Sequence, residues 1–316
     1  MSINRFCYKW KKLPSGPLGR SSHDLSAVQG AVYLFGGEHV PRTPIDSQLH
    51  VFKDGKWDTI KTENAPPSRI GHAQASVGNS IYVFGGRQGI LMNEKPLNDL
   101  FKFDTVKGEW SEIKTQNPPP ARSYHRMVAA GTDLFVFAGC GADGRLNDFY
   151  KFDTLKTAWT KLPSSNDIIP RGGPCLAANE KKVVVSCGFS GHENDDIHIY
   201  DIKSQEWKTV PYKVPKARSV CPCTTLGDKL IIFGGEVAPS DLGHQGAGNF
   251  ESDIQIVDLE TGAVYQGENT GDVTPPPRGW TSMTAINNKA IIMYGGLNGD
   301  DSNPVHLDDT WELTFE

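Results

Sequence analysis

One unit recurs six times along this chain, and no other property limits its possible folds so sharply. Each copy opens on an arginine: Arg20-Ser21-Ser22-His23, Arg69-Ile70-Gly71-His72, Arg122-Ser123-Tyr124-His125, Arg171-Gly172-Gly173, Arg218-Ser219-Val220 and Arg278-Gly279-Trp280. An apolar strand follows, then a polar turn and a β-rich run that ends in two small residues: Val32 to Gly37, Ile81 to Gly86, Leu134 to Gly139, Val183 to Gly188, Leu230 to Gly235 and Ile291 to Gly296. Ala138 and Cys187 replace the first glycine in two copies. After a variable loop, a third strand reads like Asn98 to Asp104 or Asn147 to Asp153. A fourth carries Trp57, Trp110, Trp159 or Trp207, with Tyr265 in the fifth copy. A unit this small cannot bury its own faces, so its copies must stack on one another around a shared core.

The sixth copy stops at Thr310-Trp311-Glu312-Leu313-Thr314-Phe315-Glu316, which is third-strand sequence, and its missing strand appears at the other end of the chain as Tyr8-Lys9-Trp10-Lys11-Lys12-Leu13-Pro14. The last unit is therefore completed by the first residues, which pairs an otherwise open sheet edge. With 33 Gly and 21 Pro spread between short apolar runs, no segment has long helical periodicity.

These features resemble the Kelch repeat, over essentially the whole chain. The resemblance implies an all-β fold: one six-bladed β-propeller spanning 1–316, its last blade closed by the N-terminal strand. The expected blades lie near 17–61, 66–114, 119–162, 168–213 and 215–270, with the last at 275–316 plus 5–14.

Charge and composition exclude several functions. A formal net charge of −5 is unsuited to nucleic acid or an anionic membrane. No apolar stretch reaches the roughly 20 residues of a membrane span, and the start Met1-Ser2-Ile3-Asn4-Arg5-Phe6-Cys7 has no signal pattern. A soluble, cytoplasmic protein is expected, with the nucleus as the alternative. The 6 cysteines, Cys7, Cys140, Cys175, Cys187, Cys221 and Cys223, are scattered through a chain large enough to bury a core unaided, so free thiols are expected. Cys221 and Cys223 are too close for C-x-x-C ligation and read as small packed residues on one strand face. Gly139-Cys140-Gly141-Ala142-Asp143-Gly144 satisfies G-x-G-x-x-G, but a strand follows where a dinucleotide site needs a helix N-terminus. No G-x-S-x-G elbow supports a hydrolase triad.

Strands of a blade run alternately up and down, so the start of the first strand and the loop between the second and third share a face. That places the six repeated arginines at one mouth of the central channel, with the residues that follow the small pairs: Glu38, Arg87, Cys140, Phe189, Glu236 and Leu297. A residue present in every blade suits the scaffold, its guanidinium bonding neighbouring carbonyls. Arg87 is not demanded by the repeat and is a candidate for an anionic group. Glu38, Arg122 and Trp280 join it as candidate ligand-binding residues at this mouth. The longest non-repeating loop, Gly235 to Gly248, carries Glu236, Asp241 and His244, two carboxylates and an imidazole suited to a divalent metal. The competing reading is a loop whose Asp and His cap turns while Glu236 pairs with a channel arginine.

A narrower resemblance rests on Gly36-Gly37-Glu38, Gly85-Gly86-Arg87, Arg171-Gly172-Gly173-Pro174, Gly235-Glu236-Val237 with Gly243-His244, and Pro277-Arg278-Gly279-Trp280-Thr281. These look like the plant branch of nitrile-specifier, epithiospecifier and thiocyanate-forming proteins, together with its non-specifier relatives. The resemblance implies ferrous iron held by a Glu, an Asp four residues later and a His eight residues later, in a lyase acting on a glucosinolate aglycone, a thiohydroximate-O-sulfonate. Glu236 and His244 match that spacing; Ser240 stands at the middle position, with Asp241 one residue late. Two functions follow: a module binding a small anion or a protein partner at the channel mouth, or an iron-dependent specifier-type lyase. No BTB or other partner domain is present to name a pathway.

Overall fold

The computed structural model describes residues 6–90 and 93–316; the first residue of the expected closing segment, Arg5, and Leu91 and Met92 lie outside it. The chain is an all-β propeller. Four antiparallel sheets each use four strands from one stretch of chain, as in Ala73–Val77, Ser80–Phe84, Leu100–Asp104 and Glu109–Glu112, where the short pair Arg87–Gln88 and Lys95–Pro96 projects from the loop between the second and third. A fifth sheet has eight strands and divides at one parallel pairing, where Val264–Asn269 meets Phe6–Leu13. On one side of that seam lie Cys223–Leu226, Lys229–Phe233 and Ile254–Asp258; on the other lie Thr310–Phe315, Ala290–Tyr294 and Ser282–Ala285. No helix among the described residues is long and apolar enough to cross a membrane.

The N-terminal strand pairs antiparallel with the C-terminal one, from Tyr8 opposite Phe315 to Leu13 opposite Thr310. Alternation along Phe6–Leu13 turns Tyr8 and Trp10 inward, where both are buried. Trp10 meets Trp311 and Phe233 edge to face at 6.3 and 5.1 Å, so one indole spans both halves of the large sheet. The other fourth-strand tryptophans do the same between sheets. Trp110 rests on Phe103 of its own sheet and Phe35 of the preceding one, and Trp159 rests on Phe152 and Phe84.

The two small residues that end each second strand sit in different backbone wells. The first has φ of 53–69°, the left-handed helical region that a non-glycine can enter, as Ala138 and Cys187 do. The second has φ of 94–106°, open only to glycine, and in all six copies it is glycine. A Cβ on Gly86 would also come within 2.8 Å of the Ile70 carbonyl. The glycine must be bare because its N–H donates to the arginine carbonyl of the next copy, from Gly37 to Arg69 round to Gly296 and Arg20, at 2.8–3.0 Å.

Removing the closing strand should damage the whole ring. Trp10→Ala is expected to cost about 3–5 kcal/mol, the usual range for deleting a buried large aromatic, and deletion of residues 1–14 more than that. Thermal melts check this: a truncated chain melting within a degree or two of the full one would refute closure by this strand.

Candidate functional site

The channel is pinched by six residues, each two positions after a repeated arginine: Ser22, Gly71, Tyr124, Gly173, Val220 and Trp280. All have φ between 45 and 58°. Each N–H donates to the carbonyl of the preceding member, and Ser22 donates to Trp280, closing a circle of bonds 2.6–3.0 Å long. These six residues line a waist of only about 40 Å³. Below it lies a polar cavity of about 230 Å³ walled by the first strands, with Asp24, Gln74 and Arg126. Above it lies the mouth cavity, about 350 Å³.

The repeated arginines stand behind these walls. All six are at most 1 % exposed. Each donates from Nη1 to the carbonyl of the first small residue sixteen or seventeen positions on, at 2.9–3.0 Å. Five form two-pronged pairs with the aspartate opening the third strand: Asp99, Asp148, Asp196, Asp253 and Asp309. Arg20 reaches Asp46 at 3.4 Å. Arg122, expected among the ligand-binding residues, is thus committed to Asp148 and Ala138 with its donors inside the wall.

Arg87 does reach the mouth cavity, beside Arg42 and Arg145. Its guanidinium donates to Ser123 Oγ and to Glu94 at 2.8 Å, and lies over the Tyr124 ring at 5.1 Å. Arg42 shares the same Glu94 carboxylate at 3.7 Å. Arg145 is exposed and lies over Phe189 at 4.7 Å. Three cations therefore face the cavity, with Glu94 between two of them and the raised carboxyl of Glu236 in the same lining, an excess of positive charge above a wall of Tyr124, Phe189, Val220, Pro239 and Trp280. Cys140 lines this wall, where burial pushes its thiol up against the opposing pull of Arg87 and Arg145.

The long loop crosses the mouth and docks on the first sheet. His244, in the short 3₁₀ turn Gly243–Gln245, places Nε2 at 2.9 and 3.1 Å from the Glu38 carboxylate oxygens and 3.2 Å from Tyr124 Oη. Its ring packs edge to face on Trp280 with centroids 4.8 Å apart. Burial works to raise the Glu38 carboxyl, but His244, Ser22 and the Arg42 amide hold it below the usual value. Glu236 forms no ion pair among the described residues. Burial, with the charge of Glu193, pushes its carboxyl up to about 7, against hydrogen bonds from Trp280 and the Gly248 amide.

The three expected metal ligands do not converge. Asp241 is exposed and outside the cavity lining, His244 is taken by Glu38, and although Glu236 lines the same cavity as His244, the three side chains form no mutually close ligand group among the described residues. The middle position is occupied by Ser240, whose Oγ donates to Asp301 and accepts from the Leu242 amide. These residues do not fit the iron set that the spacing suggested. Nor does Glu236 pair with a channel arginine; the carboxylate that takes the loop's histidine is Glu38, 206 residues away. Among the described residues, the one group of three metal-type side chains whose ligand atoms lie within 4.8 Å of one another is Cys175, Cys187 and Cys221. Sequence reasoning passed over Arg42, Arg145, Glu94 and Tyr124; the available signal was single basic residues in the variable loops of the first and third copies.

A family model described as the KLHDC2/KLHL20/DRC7 Kelch-repeats domain matches residues 22–235. Among curated relatives, the chain is 29% identical to N-(sulfonatooxy)prop-2-enimidothioate sulfolyase of Thlaspi arvense, covering 89% of both chains. It is 27% identical to Kelch domain-containing protein 3 of Bos taurus, over 81% of this chain and 75% of that one. The solved structure of YjhT superposes with a TM-score of 0.74 at 17% identity, covering 94% of this chain and 95% of that chain, and shares the fold.

The raised Glu236 carboxyl makes stability depend on pH. The folded chain keeps a proton that the unfolded chain loses above the ordinary value of 4.5, so stability falls as pH rises from there through about 7. Glu236→Gln should melt with the native protein near about pH 4 and above it near about pH 8. An offset independent of pH would show that the buried charge is not the cause.

Proposed function

The chain belongs to the Kelch-repeat family described as the KLHDC2/KLHL20/DRC7 Kelch-repeats domain, and from that premise we propose that it is a binding module whose mouth cavity takes an organic anion. The ring of six bonded residues and the division of the large sheet at its parallel seam support a reading of the chain as one domain of six blades. The observation that carries the function is the trio Arg42, Arg87 and Arg145 over an aromatic wall, with Glu94 answering only two of them. A sulfate, sulfonate or carboxylate head would sit on the guanidiniums, and an apolar body would lie on Phe189 and Trp280. A charge-assisted hydrogen bond of this kind is worth about 1.5–3 kcal/mol.

Calorimetric titration of phenyl sulfate at low salt tests it. Arg87→Met should weaken binding by about tenfold or more with little loss of thermal stability, whereas Arg122→Met should lower the melting temperature because it strands Asp148. Equal affinity in native and Arg87→Met protein, or no binding in either, would sink the assignment.

A second reading is protein docking on the same face. Val40, Ile90, Leu242 and Val305, all from loops between second and third strands, are exposed apolar residues on its rim. A partner segment with an acidic residue would use the same cavity.

The specifier-type lyase is the alternative that the Thlaspi arvense relative suggests, since its printed substrate pairs an anionic sulfonatooxy group with a small hydrocarbon. The mouth cavity suits that chemistry; the loop does not suit the metal. Native protein should therefore take up no stoichiometric ferrous iron under anaerobic titration, and exchanging the two residues, Ser240→Asp with Asp241→Ser, should raise iron affinity by completing the carboxylate–carboxylate–imidazole spacing. Native uptake that disappears in Glu236→Ala would restore the metal reading.

A further inference from the structure

We propose that Cys175, Cys187 and Cys221, none of which lines the mouth cavity, form a buried three-thiolate site for a soft monovalent d¹⁰ cation, copper(I). The three Sγ atoms lie within 4.8 Å of one another, and none of the residues is exposed to solvent. A metal–thiolate bond of about 2.3 Å places three sulfurs of a planar trigonal set about 4 Å apart, so the cluster needs only a small contraction. Thiolate is the soft ligand that selects such an ion. Structural zinc takes four ligands, and here a fourth cysteine, Cys223, lies outside the mutually close three.

The three residues come from separate places in the fold. Cys175 is on the strand Cys175–Ala178, Cys187 ends the second strand of the same sheet, and Cys221 follows the ring residue Val220 of the next copy. The site thus joins two neighbouring repeats. Cys187 is the informative one. It holds φ of 60° where four of the six copies have glycine, and its side chain points at the other two sulfurs. Gly235 contributes by omission, since a Cβ there would fall 2.2 Å from Cys221 Sγ.

Three thiolates with one copper(I) carry two negative charges, and Arg126, whose Nη2 donates to the Cys221 carbonyl at 2.8 Å, lies beside the cluster to offset part of them, while Arg218 is committed to Asp253. On binding, each of the three thiols releases its proton to solvent and the metal keeps its oxidation state. Entry is from the lower cavity, whose wall includes Cys223 and Arg126. The competing explanation is simple packing, since the cluster shares its core with Val184, Ile197, Leu230 and Ile232.

The test uses full-length protein with Cys7→Ser and Cys140→Ser, so that only the buried thiols remain. Copper(I) is titrated anaerobically against a competing chelator, with zinc in parallel. One tightly held equivalent of copper(I) is expected, together with a rise in melting temperature. Cys187→Gly should fold at least as stably without metal, because glycine suits that backbone, and should bind copper(I) at least a hundredfold more weakly; Cys175→Ser and Cys221→Ser should weaken it similarly. No uptake by the parent, or undiminished uptake by Cys187→Gly, would overturn the site, and zinc displacing copper(I) would overturn the ion.

Discussion

Everything in this molecule hangs on the circle of backbone hydrogen bonds at the waist. Each member must hold a left-handed conformation for its N–H and carbonyl to point along the circle. For Ser22, Tyr124, Val220 and Trp280 that conformation is intrinsically costly, most of all for the β-branched Val220. The cost is offset because the surroundings leave no alternative. The arginine two residues earlier is clamped to a carbonyl and an aspartate, and its own carbonyl accepts from the glycine of the preceding copy. The circle, the arginine clamps and the glycine bridges are one bonded system that passes through every repeat.

This system divides the labour of the mouth. Residues that recur in all six copies are consumed by the scaffold, which is why fully buried guanidiniums are tolerated: each finds carbonyl and carboxylate partners for its donors. What is free to bind is whatever breaks the repetition. Arg87, Arg42 and Arg145 lie where other copies carry unrelated residues, and the bulkiest side chains of the circle, Tyr124 and Trp280, turn their rings toward the same cavity. Function in such a ring is built from asymmetry, on a frame whose symmetry supplies rigidity.

The loop over the mouth illustrates how a local motif can be overruled. Spacing along the chain suggested that Glu236, Asp241 and His244 would gather on one ion. The imidazole instead finds Glu38 across the channel, a carboxylate already held by Ser22 and the Arg42 amide. A preorganised buried acceptor competes better for the ring N–H than a flexible loop carboxylate that would have to be ordered first. Asp241 then has nothing to hold it and stays in solvent.

The repeat was legible because its signals are local: the Arg at each start, the Gly that alone can occupy φ near 100°, the aromatic in each fourth strand. The closing role of Trp10 could be read the same way, as a missing strand found at the other end of the chain. Which residues come together at the mouth could not be read, since it depends on contacts between loops of different copies, 206 residues apart for Glu38 and His244. Glu38 and His244, or Arg42 and Glu94, carry no mark of each other. The cysteines show the same division: their scatter argued for free thiols, yet only the stacking of two neighbouring repeats brings Cys175, Cys187 and Cys221 to one point. Sequence by itself determined the repeated backbone conformations, because sterics act residue by residue. Tertiary structure decided the site, because hydrogen bonds and charges act through space between residues whose separation along the chain says nothing about their distance.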